Sequence, residues 1–173
     1  QQAPYRLHLT RGSTASPRDF EPSEVVLRKG ADEVLSGGEG KSSFAWLPFV
    51  KVDQAEGALV AAVGWSGQWK AEFQCVDGKR LRMVAGLEKT RFLLHPGERV
   101  RSPRILLLNH KGDSVDANSA FRRLIQKHYA AKRGGKTPVP TAFCNTCFTR
   151  GGVWLNECNE QNQISLIEAY GKL

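Results

Sequence analysis

The sequence predicts a mainly β protein, an antiparallel β-sandwich or barrel, followed by one amphipathic helix and a single strand-loop-helix unit. Three observations predict it. From about Glu24 to Leu108, short apolar alternations are separated by turn signals at the eight-to-twelve-residue spacing of all-β domains. Between Asp116 and Lys132 the apolar period lengthens to that of a helix. Beyond it, a stretch rich in glycine and proline separates a last strand and helix from everything before.

The strands come first. In Lys70-Ala71-Glu72-Phe73-Gln74-Cys75, residues Ala71, Phe73 and Cys75 fall on one face and the polar residues on the other. Asp77-Gly78 reads as a two-residue hairpin turn, and beyond it Leu81, Met83 and Ala85 alternate with Arg80 and Arg82. Ser66-Gly67 reads as the link from Ala58–Trp65 to a strand starting at Gln68. Pro96-Gly97 suits the centre of a type II turn, which predicts a third hairpin of Arg91–Leu94 with Arg99–Leu108. The sum is an antiparallel meander of about six strands.

In the helix, over about residues 116–132, Phe121, Leu124, Ile125 and His128 recur at helical spacing opposite Arg122, Arg123, Gln126 and Lys127, with Asp116 or Asn118 as N-cap. This closes a first domain over residues 1–133, and residues 134–140 read as a connector. In residues 141–173, Thr141–Cys147 reads as a strand, Thr149–Cys158 as a loop and Asn159–Leu173 as a helix with Ile164, Ile167 and Tyr170 on one side. A buried strand of this kind needs partners on both edges, and parallel partners need further crossovers. The chain therefore reads as part of a longer protein. It opens on Gln1 without the basic-then-apolar layout of a signal peptide, and residues upstream are expected to have been removed.

Composition narrows the function classes. Of 173 residues, 40% are hydrophobic and 24% charged, a globular balance. The longest apolar runs, such as Ala58–Val63, have strand length, which excludes a helix crossing a bilayer. The +8 formal charge lies almost wholly in residues 70–133, which hold 15 basic and 6 acidic groups. There the basic residues alternate with apolar ones, as on solvated sheet faces, without the interleaved aromatics of a nucleic-acid platform. No nucleic-acid or membrane partner is expected.

Cys144 and Cys147 are spaced as half of a zinc site, but a matching second pair is missing and the two fall on opposite faces of a strand. With Cys75 and Cys158 they read as buried or loop thiols. Neither a metal nor a cofactor is expected. Trp46, Trp65, Trp69 and Trp154 are candidate stacking platforms for sugar rings; Trp46 and Trp65 read rather as core rings, and Trp154, in a Gly-Gly loop, as a residue in substrate or subunit contact or in local packing. His128 reads as a packing histidine, His95 as exposed, and Glu157 and Glu160 as acids at a helix start.

The ordered blocks Gly64-Trp65-Ser66-Gly67-Gln68-Trp69, Ala85-Gly86-Leu87-Glu88-Lys89-Thr90, Leu94-His95-Pro96-Gly97-Glu98 and Ser102-Pro103-Arg104-Ile105-Leu106-Leu107-Leu108 carry a resemblance. So does the helix with Phe121-Arg122-Arg123-Leu124 and His128. From about Ser43 to Leu173 the chain resembles melibiase-type α-galactosidases, glycoside hydrolase family 36. The resemblance implies the later part of an N-terminal β-sandwich domain, followed by the first βα unit of a truncated (β/α)8 catalytic barrel. Phe143-Cys144-Asn145-Thr146-Cys147-Phe148 is similar to barrel strand one, with Cys147 where relatives carry Trp. Active sites in such barrels form at the carboxyl ends of the strands. Asn145, Thr146, Cys147, Phe148 and Trp154 are therefore the expected substrate-binding residues. A retaining mechanism needs two carboxylates about 5 to 5.5 Å apart, and the resemblance puts both aspartates beyond Leu173. It thus implies a retaining α-glycosidase acting on terminal α-linked galactose-type sugars, with no catalytic residue in this chain, which is expected to be inactive alone and is a candidate for a homo-oligomer. The alternative is a non-catalytic carbohydrate-binding or assembly module.

Overall fold

Eight strands and two helices make up the regular structure among residues 5–139 and 159–172, the residues that the computed structural model describes. The strands are β1 (Tyr5–Thr10), β2 (Pro22–Leu27), β3 (Asp32–Ser36), β4 (Phe49–Gln54), β5 (Gly57–Gly64), β6 (Lys70–Cys75), β7 (Leu81–Gly86) and β8 (Arg104–Lys111). Helix α1 spans Ser114–His128 and α2 spans Glu160–Tyr170. The chain divides into two compact units, one ending at Tyr129 and the other beginning at Ala130.

The first unit is mainly β, as expected, but it is not a meander. All pairings are antiparallel, in a five-stranded sheet of order β2-β1-β4-β5-β8 and a three-stranded sheet of order β3-β6-β7. Two of the six expected hairpin partners lie in different sheets: β5 pairs with β8 while β6 pairs with β3 and β7. Ser66-Gly67 therefore carries the chain from one sheet to the other. Alternation specifies which face of a strand is buried; it is silent about which edge is paired, and that is where the expectation failed.

The alternation itself is realised. Ala71, Phe73 and Cys75 are each about 1% exposed, and they join Leu7, Leu9, Leu27, Leu35, Val50, Val52, Val63 and Trp69 in one core drawn from both sheets. Trp69 is its largest member, and its indole Nε1–H donates to the Ser42 carbonyl at 2.6 Å. A buried indole donor needs such a partner. Trp46 and Trp65 pack against the core from its margin, partly buried, and the Arg11 guanidinium lies 5.1 Å from the Trp46 ring centroid.

The turns follow their chemistry with adjusted lengths. Between β6 and β7 the Val76 N–H donates to the Arg80 carbonyl at 3.0 Å, and the Asp77 carboxylate accepts from the N–H groups of Lys79 and Arg80. Asp77-Gly78-Lys79 is thus a three-residue loop, with Gly78 at φ +81°, a conformation that costs a side-chain-bearing residue but not glycine. At Pro96-Gly97 the expected turn closes, with the Glu98 N–H donating to His95 O at 3.0 Å and Gly97 at φ +87°. The hairpin around it does not form. Arg91–Leu94 is not a strand, because its three consecutive apolar residues, Phe92, Leu93 and Leu94, offer no single face to bury and all stay exposed. On the other side β8 starts at Arg104, immediately after Pro103, which cannot donate to a ladder.

The outer face of the five-stranded sheet carries α1. Ala58 and Val60 of β5 bury Ala117 completely, with Leu108 and Phe121 packed alongside, and the Phe49 and Phe121 rings stand 5.4 Å apart at 57°. The N-cap is Asp113, whose side chain accepts from the Asp116 N–H at 2.7 Å, instead of Asp116 or Asn118. The helix ends at His128, short of the expected Lys132, and His128 is exposed, so it does not pack. Its last turn is where cations suit the helix dipole.

In the second unit a tight turn joins Arg133 to Lys136 by reciprocal backbone hydrogen bonds. Helix α2 is capped by Asn159, which accepts from the Asn162 N–H at 2.9 Å. Glu160 lies in its first turn, and Ile164, Ile167 and Tyr170 are exposed.

Candidate functional site

The residues expected to bind substrate, Asn145, Thr146, Cys147, Phe148 and Trp154, lie outside the described residues, as do Cys144, Glu157 and Cys158. The barrel strand expected over 141–147 lies there too. Of the four cysteines, Cys75 is described: it is a free, buried thiol in the core.

A groove of about 780 Å³ lies between the end of β5, the start of β8 and the C-terminal half of α1. Its floor follows from the two periods that meet there. On the helix-facing side of the sheet, Phe49, Ala62 and Leu106 come from β4, β5 and β8. From α1, Phe121 and Ile125 descend one turn apart onto the same floor. Trp65 and Tyr129 form walls. Ser66 and Ser102 add hydroxyls, and three guanidinium groups, Arg101, Arg104 and Arg122, also line the groove. Among the described residues no Asp or Glu lines it.

Nothing in the sequence brings Trp65, Arg104 and Arg122 together or singles out Arg101. They converge because β5 and β8 pair across a long sequence separation, Gly64 lying opposite Arg104. The signal available in the sequence is the basic excess of residues 70–133.

A second polar site lies on the same sheet face, at β1, β2 and β4. The His8 imidazole bridges two carboxylates, with Nε2 2.9 Å from Asp53 Oδ1 and Nδ1 3.0 Å from Glu24 Oε1. Arg6 donates to Glu24 Oε2 at 2.7 Å. That hydrogen bond from Arg6, with the charge of His8, lowers the Glu24 carboxyl below the usual carboxylate range. A carboxylate held this way stays ionised and is unsuited to act as a general acid, and the imidazole occupies the space between the pair where a glycosidic bond would have to enter. The arrangement is an ion cluster that ties three strands together.

A third network fixes the segment after β3. The Gln68 side chain accepts from the Gly40 N–H at 2.7 Å and donates to Ser36 Oγ at 2.9 Å and to Glu88. Hydrogen bonds from Gln68 and then Ser36 keep the Glu88 carboxyl below its ordinary value. Here too the carboxylate is committed to structure. His95 is exposed, with Nδ1 3.2 Å from Glu98 Oε2. Among the described residues no group of three His, Cys, Asp or Glu side chains could hold a metal, and no helix is long and apolar enough to cross a membrane.

Comparison of the chain with protein-family models, with curated proteins and with solved structures gives no match.

Proposed function

We propose that the chain is the β-sandwich portion, with the start of the catalytic barrel, of a retaining α-glycosidase resembling the melibiase-type α-galactosidases. The observation that carries the reading is the order of the blocks that resemble that family and their places in the fold. The Gly64–Trp69 block forms the passage between two facing antiparallel sheets, and Ala85–Thr90 leaves β7. Leu94–Glu98 contains the closed turn, Ser102–Leu108 leads into β8, and the helix with Phe121-Arg122-Arg123-Leu124 packs on the outer face of β5 and β8.

On this reading the whole protein hydrolyses terminal α-linked galactose-type sugars. Asn145, Thr146, Cys147, Phe148 and Trp154 face the sugar at the mouth of the barrel, and Cys147 in place of a tryptophan leaves a wider, less aromatic wall there. The two catalytic carboxylates come from later barrel strands. Consistent with that division of labour, the acids described above, Glu24, Asp53 and Glu88, are engaged by His8, Arg6, Ser36 and Gln68.

The test is an assay of the purified chain with 4-nitrophenyl α-galactoside, beside calorimetric titration with galactosides. The reading predicts neither turnover nor binding. Hydrolysis by the chain alone would refute the division of labour, and galactoside binding without turnover would replace the reading with that of a carbohydrate-binding module.

A further inference from the structure

The groove between β5, β8 and α1 has a chemistry that a neutral sugar does not call for. Its floor is apolar, built from Phe49, Ala62, Leu106, Phe121 and Ile125. Its polar charge is of one sign: Arg101, Arg104 and Arg122 line it, and no carboxylate does among the described residues. In the first unit Arg6 pairs with Glu24, Arg18 with Glu21 and Arg80 with Asp77, whereas Arg28, Arg82, Arg91, Arg99 and Arg123 have no carboxylate within 4.0 Å among the described residues. The three groove arginines have no such partner within 4.0 Å among the described residues. Three arginines of one charge beside a largely apolar floor favour an anion, whose apolar part covers the floor.

The geometry points to a binding site for a small anionic amphiphile: an apolar body seated over Phe49, Leu106 and Ile125, with a carboxylate or comparable anionic head held by Arg101, Arg104 and Arg122. The volume of about 780 Å³ lies within the range of small-molecule sites. A neutral sugar fits poorly because it brings no charge to the arginines and its hydroxyls would lie over the apolar floor. A peptide fits poorly because its backbone N–H and C=O groups would lie unpaired over the apolar floor. Guanidinium also binds a carboxylate through two parallel N–H donors, which makes the head group and not only the apolar body a determinant of binding.

The test is calorimetric titration of the 173-residue chain with three ligands sharing one ten-carbon body: decanoate, decanol and decyltrimethylammonium. One decanoate binds saturably, the other two at least tenfold more weakly, and the decanoate affinity falls as salt is raised. Arg104→Gln with Arg122→Gln, both at exposed positions so that the fold is kept, weakens decanoate roughly a hundredfold, about tenfold for each charged hydrogen-bond donor lost. Arg104→Lys with Arg122→Lys restores part of the affinity and the preference for decanoate over decanol. Equal binding of decanol and decanoate, non-saturable uptake, or unchanged affinity in the double glutamine variant would each overturn the assignment. So would an acidic aromatic peptide that binds where decanoate does not.

Discussion

Phe73→Ala probes the core between the two sheets. Phe73 lies mid-strand in β6, opposite Met83 of β7 and Glu33 of β3, and is 1% exposed. Truncating a buried phenylalanine costs about 3–5 kcal/mol, part from lost transfer of the ring out of water and part from the cavity left behind. Phe73 already borders an inter-sheet channel of about 530 Å³ walled by Tyr5, Leu59, Leu81, Met83 and Leu107. Because the ring already has open space on one side, it gives up fewer packing contacts than at a fully enclosed site, and the cost falls at the low end, about 3 kcal/mol. For a unit of this size that corresponds to a fall in Tm of roughly 10 °C. Urea unfolding followed by circular dichroism measures it, with Val84→Ala on the outer face of β7 as control, expected within about 0.5 kcal/mol of the parent. A loss below about 1 kcal/mol for Phe73→Ala would refute the placement of this ring in a shared core.

Three further outcomes follow from other parts of the fold. Ala117→Leu overfills the contact with Ala58 and Val60 and should cost about 1–3 kcal/mol, read as a lower urea midpoint; a neutral result would mean that α1 does not sit on β5. The Asp19 carboxyl is lowered to about 2, first by the Ser13 hydroxyl and then by the Thr14 N–H, so these bonds are intact above about pH 4 and are lost as pH falls through 2. Amide exchange at Thr14 and Ser16 should accelerate over that window relative to an unstructured peptide, and Asp19→Asn should abolish the transition; exchange without such a step would contradict the clamp. Gln68→Ala removes the bridge between Gly40, Ser36 and Glu88 and should lower stability by about 1 kcal/mol, checked by thermal melting, whereas an unchanged Tm would show the bridge to be energetically idle.

What the sequence disclosed and what it withheld divide along physical lines. Burial is local: the two-residue period of Lys70–Cys75 and the helical period through Phe121 and Ile125 each reappear on the expected face. Turn chemistry is local as well, and Gly78 and Gly97 take the positive φ their positions suggested. Pairing is not. That β1 lies beside β4 and β5 beside β8 depends on long-range contacts that no alternation encodes, and β1 itself lay ahead of the segment read as strands. The groove was hidden for the same reason, because Trp65, Arg104 and Arg122 meet through a pairing that skips two strands. Trp69, the largest core residue, reads from the sequence only as one of four candidate stacking rings, because nothing in its neighbours reveals the Ser42 carbonyl that satisfies it.

The central claim is the retaining α-glycosidase reading, and the most direct measurement is the anomeric outcome of hydrolysis by the natural gene product. Proton NMR of 4-nitrophenyl α-galactoside during early turnover should show α-galactose forming first, with the β anomer appearing only by mutarotation. Absence of α-galactoside hydrolysis, or β-galactose as the first product, would contradict it.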